Sequence, residues 1–158
     1  LFGHSDGASI ALLHATRHPV AGLVVLAPHI LVEDLSVASI AQVRQAYAEG
    51  GLRERLARHH EDVDSAFFGW NDIWLDPAFR AWSIENEIAA ITCPVLAVQG
   101  LDDEYGTLEQ VRGIARRLPR ARVLELPACG HSPHRDQPEA VIAACQAFID
   151  EQRASTTP

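Results

Sequence analysis

The alternation of short apolar runs with helical periodicity most constrains the fold of this chain. Each run lacks polar alternation and has a proline or glycine close by: Leu23–Leu26, Val95–Val98 and Val123–Leu126. Such runs are typical of strands buried on both faces of a sheet. Helical patterns separate or follow them: Ala8–Arg17, Thr107–Leu118 and Glu139–Glu151. The alternation predicts βαβ units and an α/β fold with a parallel sheet.

A stretch of helical character interrupts this alternation between the first two strands. It is too long for a crossover loop, and it contains one helical stripe with spacings of four, three and four: Val63, Phe67, Trp70 and Trp74. The stripe either lines an apolar substrate pocket or, as is more common, packs the helical insertion against the main domain. The predicted parts are core segments 1–29 and 92–153, a helical insertion at 30–91 and a disordered tail at 154–158.

Composition excludes several classes of protein. Hydrophobic residues make up 47% and charged residues 22%, the balance of a soluble globular domain rather than a disordered chain. A net charge of −8 leaves no basic surface for nucleic acid or acidic lipid. The three cysteines cannot all pair, so we expect reduced thiols in a cytoplasmic protein, with Cys93 and Cys145 in the core and Cys129 buried or lining a pocket.

Gly3-His4-Ser5-Asp6-Gly7 runs directly into the first helical pattern. A serine hydroxyl becomes a useful nucleophile only where it is exposed beside a base. A sharp strand-to-helix turn provides that exposure, and its strained backbone favours the small neighbours Gly3 and Gly7. The helix that follows makes the backbone N–H of Asp6 a candidate donor to an oxyanion. The alternative is a glycine-rich helix start with Ser5 as its cap.

A candidate acid and a candidate base follow later strands. Gly100-Leu101-Asp102-Asp103-Glu104 comes directly after the second predicted strand, and Gly130-His131 comes in the loop after the third. The carboxyl ends of parallel strands share one edge of a sheet, where ligands bind. The serine, acid and base therefore converge on one predicted site.

On these residues the chain resembles the α/β-hydrolase fold family, from Gly3 to about Glu151. The matching segments are Gly3-His4-Ser5-Asp6-Gly7, Pro94–Asp103, Gly130-His131 and Gln137-Pro138-Glu139. The resemblance implies Ser5 as nucleophile, Asp103 as acid and His131 as general base, with the insertion as the family's cap domain. The chain is most similar to small ester, lactone and C–C bond hydrolases, including valacyclovir-hydrolase-like proteins. One departure is Thr107, where the family often has proline.

Several assignments have alternatives at this stage. The G-x-x-D spacing of the family favours Asp103 over Asp102, which leaves Asp102 and Glu104 as solvated loop acids. The Gly-His pair favours His131 over His134. The Asp6 carboxylate either contacts substrate or caps the helix. Further candidate substrate contacts are His4, Phe67, Trp70 and Trp74.

The sequence therefore predicts a serine hydrolase that forms an acyl-enzyme from a small carboxylic ester or lactone. Its partner would be a small-molecule substrate, with no cofactor, nucleic acid or membrane. No metal is expected, because the pairs His14/His18 and His59/His60 do not form a recognisable ligand set with a Cys or carboxylate. The alternatives are a C–C bond hydrolase of ring-cleavage diketones and a ligand-binding homologue without turnover.

The number of predicted strands is low for this fold. Three strands fall short of the roughly 5 to 6 of an average sheet, and the chain begins with Leu1 rather than Met. We expect an uncovered edge at Leu23–Leu26, part of the fold before Leu1, and a chain that is inactive alone.

Overall fold

The computed structural model describes residues 1–154, which fall into two compact units. One unit combines Leu1–Leu31 with the chain from Ser83 onward, and the other is Val32–Trp82. The strands are β1 Phe2–His4, β2 Leu23–Leu26, β3 Val95–Gly100 and β4 Ala121–Leu126. The α-helices are α1 Asp6–Ala15, α2 Asp34–Ala48, α3 Leu52–Leu56, α4 Val63–Leu75, α5 Glu109–Arg117, α6 Pro133–Asp136 and α7 Pro138–Ala154. Two short 3-10 helices lie at Pro77–Ala81 and Glu87–Ala90.

The four strands form one parallel sheet in the order β1-β2-β3-β4. Every residue of β2 and β3 is buried, as expected for strands covered on both faces. Val141 and Phe148 of α7 pack against the apolar side chains of the sheet. The predicted α/β fold with a parallel sheet and flanking helices is therefore confirmed.

The edge of the sheet differs from the prediction. Leu23–Leu26 is not an edge strand, because Phe2–His4 pairs with it through the register Gly3 opposite Val25. The described sheet instead ends at β1, where Phe2 is 60% exposed. A strand of three residues carries too little alternation to be recognised from sequence, which is why only three strands were predicted.

The helical unit has its own aromatic core. The Tyr47 ring stacks on Phe67 with ring centroids 3.8 Å apart, and Val63 packs beside them. Trp74 makes edge contacts with Phe79 and Trp82. These contacts lie within Val32–Trp82, so burial inside the unit accounts for the aromatic stripe of α4.

The helical unit is shorter than the predicted insertion at 30–91. The Ile84 N–H donates to the Ile30 carbonyl at 2.8 Å, and residues 83–91 belong to the unit that contains the sheet. Ile84, Ile88 and Ile91 are buried there. Their spacing resembles helical periodicity, but spacing alone does not indicate which unit an apolar face packs against.

The structure also corrects two smaller predictions, on the burial of the cysteines and on the start of the tail. Cys129 is buried, whereas Cys93 and Cys145, predicted as core residues, are only half-buried, and all three thiols are free. The last helix includes Ala154, and the other four residues of the predicted tail at 154–158 lie outside the described residues. In residues 1–154, no helix has both the length and the apolar character needed to cross a membrane.

Candidate active site

Ser5 occupies the turn between β1 and α1. Its φ of 54° is positive, which is uncommon for a residue with a side chain and costs about 1–3 kcal/mol. The backbone is held there by hydrogen bonds: the Ser5 N–H donates to the Leu26 carbonyl at 3.0 Å, and the Ser5 carbonyl accepts from the Ala8 N–H at 2.9 Å and from the Ser9 N–H at 3.3 Å. This strained turn places the half-buried Ser5 at the carboxyl end of β1.

Only one of the two motif glycines is required by close packing within the chain. A Cβ at Gly3 would lie 2.5 Å from the Gly7 carbonyl oxygen and 2.7 Å from the Ala8 Cα. At Gly7, by contrast, no part of the described chain outside the backbone of α1 itself lies within 4 Å of the position that a Cβ would occupy. The expectation that the turn demands small residues on both sides of Ser5 thus holds sterically for Gly3 alone.

A continuous hydrogen-bonded relay joins Ser5, His131 and Asp103. The Ser5 Oγ is 2.9 Å from His131 Nε2, and His131 Nδ1 is 2.9 and 3.0 Å from the two Asp103 carboxylate oxygens. An ionised carboxylate only accepts, so Nδ1 carries the proton and Nε2 of the neutral ring accepts from the Ser5 hydroxyl. The competing residue Asp102 is exposed and outside this relay.

Asp103 is held by two further donors. Its side chain is fully buried, and its carboxylate accepts from the Tyr105 N–H at 2.8 Å and from the Gln99 Nε2 at 2.6 Å. Sequence reasoning missed the contribution of Gln99. The available signal was a polar residue at the end of the otherwise apolar run Val95–Val98.

Acidic side chains hold the backbone of the loop that carries His131. The His131 N–H donates to Glu104 Oε2 at 3.2 Å, and the Gly130 N–H donates to Asp136 Oδ2 at 2.9 Å. Glu104, expected to be a solvated loop acid, therefore links the loop containing Asp103 to the one containing His131. The backbone of this loop is therefore fixed by hydrogen bonds at Gly130 and at His131.

His4 contacts the backbone of His131. Its Nε2 is 2.7 Å from the His131 carbonyl oxygen, so Nε2 carries a proton and donates. Burial lowers the pKa of His4, although this hydrogen bond opposes the effect, and the nearby His131 and His134 lower the pKa further. His134 is exposed and packs edge-on against His4 at 4.8 Å between centroids. His4 thus supports the histidine loop, which its predicted role as a substrate contact did not include.

The other predicted substrate contacts are distributed over both units. Asp6 is the first residue of α1, which places its backbone N–H at the helix N-terminus, where early amides lack partners within the helix. Phe67 and Trp74 are buried in the helical unit and Trp70 is half-buried. A role for these residues in substrate binding stays a prediction.

Cys129 lies two residues before His131 but has the properties of an inert thiol. Burial, together with the nearby carboxylates of Asp136, Asp103 and Asp102, raises its pKa to about 11. The thiol is therefore protonated near neutral pH and is a poor nucleophile. Within residues 1–154, no three His, Cys, Asp or Glu side chains are grouped in a way that could hold a metal ion.

The strained serine turn, the relay and the parallel sheet together define a chain of the α/β-hydrolase type. A comparison with protein families matches residues 1–144 to the alpha/beta hydrolase family. The chain belongs to this family.

The individual proteins to which this chain is similar share only a minority of their residues with it. Among curated proteins, the rhodomycin D methylesterase DnrP of Streptomyces peucetius is 34% identical over 80 residues, which cover 51% of this chain and 26% of that protein. Among solved structures, a thermophilic esterase from Thermogutta terrifontis is 20% identical with a TM-score of 0.63 over 96% of this chain and 64% of its own. Proline iminopeptidase of Mycobacterium smegmatis is 18% identical with a TM-score of 0.68, over 99% and 66% respectively. The chain thus spans less than two thirds of the length of each of these proteins.

Proposed function

We propose that this protein is a serine hydrolase that cleaves a small carboxylic ester or lactone through an acyl-enzyme on Ser5. The observation that carries the proposal is the unbroken relay from the Ser5 hydroxyl through His131 to the buried Asp103, with heavy-atom distances of 2.9 to 3.0 Å. A serine that is positioned beside a base, which is in turn oriented by a carboxylate, is the arrangement needed for nucleophilic catalysis.

The relay supports the following sequence of steps. His131 Nε2 accepts the proton of the Ser5 hydroxyl as the Ser5 Oγ attacks the carbonyl carbon of the substrate. The oxyanion that forms accepts a hydrogen bond from the backbone N–H of Asp6, at the positive end of α1. Collapse breaks the bond to the leaving group, which receives the proton from His131. Water then attacks the acyl-enzyme with His131 again as base, which releases the acid and restores Ser5.

The role of Asp103 follows from its burial and its contact with Nδ1. Its negative charge holds the ring in the tautomer whose Nε2 is free to accept, and it stabilises the imidazolium that forms during attack. The raised pKa of Cys129 makes its thiol a poor nucleophile, so we assign the attack on the carbonyl to Ser5.

The ester as substrate class is supported by the activity of a relative, a methylesterase. C–C bond hydrolysis of a diketone would use the same serine, acid and base, and so becomes an outcome of the substrate test. The net charge of −8 supports a small molecule rather than nucleic acid or an acidic membrane as partner. We further propose that the reaction uses no cofactor or metal and that the protein is cytoplasmic.

The test is labelling with a fluorophosphonate probe and turnover of a panel of p-nitrophenyl esters, lactones and ring-cleavage diketones, using the complete gene product that carries these residues. Ser5→Ala should abolish labelling and lower turnover by at least about 1,000-fold. Ser65→Ala, an exposed serine on α4, is the matched control and should change neither. Near-native turnover in Ser5→Ala would refute the proposal. Hydrolysis of the diketones alone would change the proposed reaction from ester or lactone hydrolysis to C–C bond hydrolysis. Binding without turnover would favour a non-catalytic homologue.

A further inference from the structure

Gln99 is a buried polar side chain at the end of a central strand. It is 1% exposed, and the four residues before it, Val95–Val98, are all apolar. Its Nε2 lies 2.6 Å from Asp103 Oδ2 and 3.1 Å from the Gly106 carbonyl oxygen. Both neighbours are acceptors, so the nitrogen of the amide must face them, and both of its hydrogens are used.

This orientation leaves the other end of the amide unpaired. Gln99 Oε1 is buried and has no hydrogen-bond partner in the part of the chain that the structure describes. A buried acceptor without a donor lowers stability. An apolar side chain at this position would avoid that loss of stability. Gln99 therefore stabilises the fold less than a glutamine whose amide is paired at both ends.

Gln110 provides the contrast within the same unit. It is fully buried, but its Oε1 accepts from the Ile30 N–H at 2.7 Å and its Nε2 donates to the Leu31 carbonyl at 3.1 Å. Gln110 therefore pairs both ends of its amide with the backbone of the adjacent residues Ile30 and Leu31. Gln99, by comparison, directs its donors to a carboxylate of the site and to a neighbouring loop.

We propose that Gln99 is a positioning residue for Asp103, and this inference rests on the proposed function. The Asp103 carboxylate receives the Tyr105 N–H on Oδ1 and Gln99 Nε2 on Oδ2, so the two donors hold its opposite sides. This fixes the plane of the carboxylate that orients His131. Without Gln99, the carboxylate can rotate about its Cβ–Cγ bond, and the His131 ring loses its fixed orientation.

The test compares Gln99→Met with Gln110→Met in the complete gene product. Methionine has a similar length to glutamine but no donor. Gln99→Met should lower kcat for a p-nitrophenyl ester by about 10- to 100-fold, a part of what general acid–base catalysis supplies, with KM unchanged within about twofold. Gln110→Met should lower the thermal midpoint, because it leaves backbone groups unpaired. Because its hydrogen bonds to Ile30 and Leu31 lie outside the relay, it should keep kcat within about threefold.

A spectroscopic measurement provides a readout that does not depend on turnover. The Nδ1 proton between His131 and Asp103 should give a downfield proton resonance that is absent in His131→Ala. In Gln99→Met this resonance should shift or broaden, and in Gln110→Met it should stay in place. Gln99→Leu serves as a second apolar variant if the methionine variant does not fold.

The proposal requires both changes in Gln99→Met, the fall in kcat and the change in the resonance. If either kcat or the resonance is unchanged, Gln99 is a packing residue and the inference is wrong. Ser5→Ala separates this result from failure of the proposed function. If Ser5→Ala retains turnover, the serine mechanism itself fails, whereas loss of turnover in Ser5→Ala with native behaviour in Gln99→Met refutes only the positioning role.

Discussion

Gly100→Ala should displace the loop that carries His131. A Cβ at Gly100 would lie 2.1 Å from the Cys129 carbonyl oxygen and 2.5 Å from that of Gly130. Real Cβ contacts essentially never fall below 3.0 Å, so the Cys129 carbonyl must move by about 0.9 Å, the difference between these two distances. That movement also disturbs the hydrogen bond from the Asp102 N–H to the Cys129 oxygen. Both contacts are with backbone, so no side chain can rotate away to relieve them.

The expected magnitudes follow from this displacement. A shift of about 1 Å at a reacting group can cost about 100-fold in rate, so Gly100→Ala should lower kcat/KM for a p-nitrophenyl ester by that order. Overpacking of this kind costs about 1–3 kcal/mol in the free energy of unfolding. For a chain of 158 residues, that loss corresponds to a fall of about 2–12 °C in the melting temperature, measured by circular dichroism.

Gly69→Ala is the matched control. Gly69 lies within α4, and outside the backbone of its own helix no atom of residues 1–154 lies within 4 Å of an added Cβ. The extra methyl should raise the free energy of unfolding by about 0.5–1 kcal/mol, because alanine is the better helix former, and should leave turnover unchanged. A Gly100→Ala variant with native activity and native melting temperature would refute the steric reasoning.

Three further predictions concern single titratable groups. Asp103→Asn should lower kcat for an ester by at least about 100-fold, because it removes the charge that orients the base. Asp102 is exposed, so Asp102→Asn should keep kcat within about threefold. If Asp102→Asn had the larger effect, Asp102 would be the acid instead. Burial lowers the pKa of His4 from its ordinary 6.5, so its contribution to stability is full above about pH 6.5 and declines as the pH falls towards the lowered value. Urea unfolding across that range should show a weaker decline in His4→Gln, and an unchanged slope would contradict this. The pKa of about 11 for Cys129 predicts that iodoacetamide modifies it more slowly than the other two cysteines in the native chain, and mass spectrometry showing equal rates would argue against its burial.

The sequence predicted the α/β fold because its signals are local. The run Val95–Val98 is apolar on both faces of a strand and is bounded by Pro94 and Gly100, so its neighbours in the chain are enough to indicate a buried strand. The Ser5 turn was equally recognisable, since the glycine before it and the helical pattern after it stand within a few residues. The family resemblance rested on the same segments and is confirmed by the match over residues 1–144.

Local signals were insufficient where an element is short or where a pattern fits two environments. The strand Phe2–His4 has three residues, and it is defined by its pairing with β2 rather than by its composition. The isoleucines of 83–91 have a helical spacing but are buried in the unit that contains the sheet. Such choices depend on which surface is available to cover an apolar face, and that surface is formed by distant parts of the chain.

The sequence by itself determined which chemical groups follow which strands, and hence that a serine, two aspartates and a histidine reach one edge of the sheet. The tertiary structure decided their partners: Asp103 rather than Asp102 contacts His131, while His4 supports the His131 loop. Ser5 and His131 are 126 residues apart in the chain, yet their side chains are 2.9 Å apart. The physical reason is that strand register and the backbone hydrogen bonds of the loops set these distances, whereas local sequence preferences fix only the type and order of the elements.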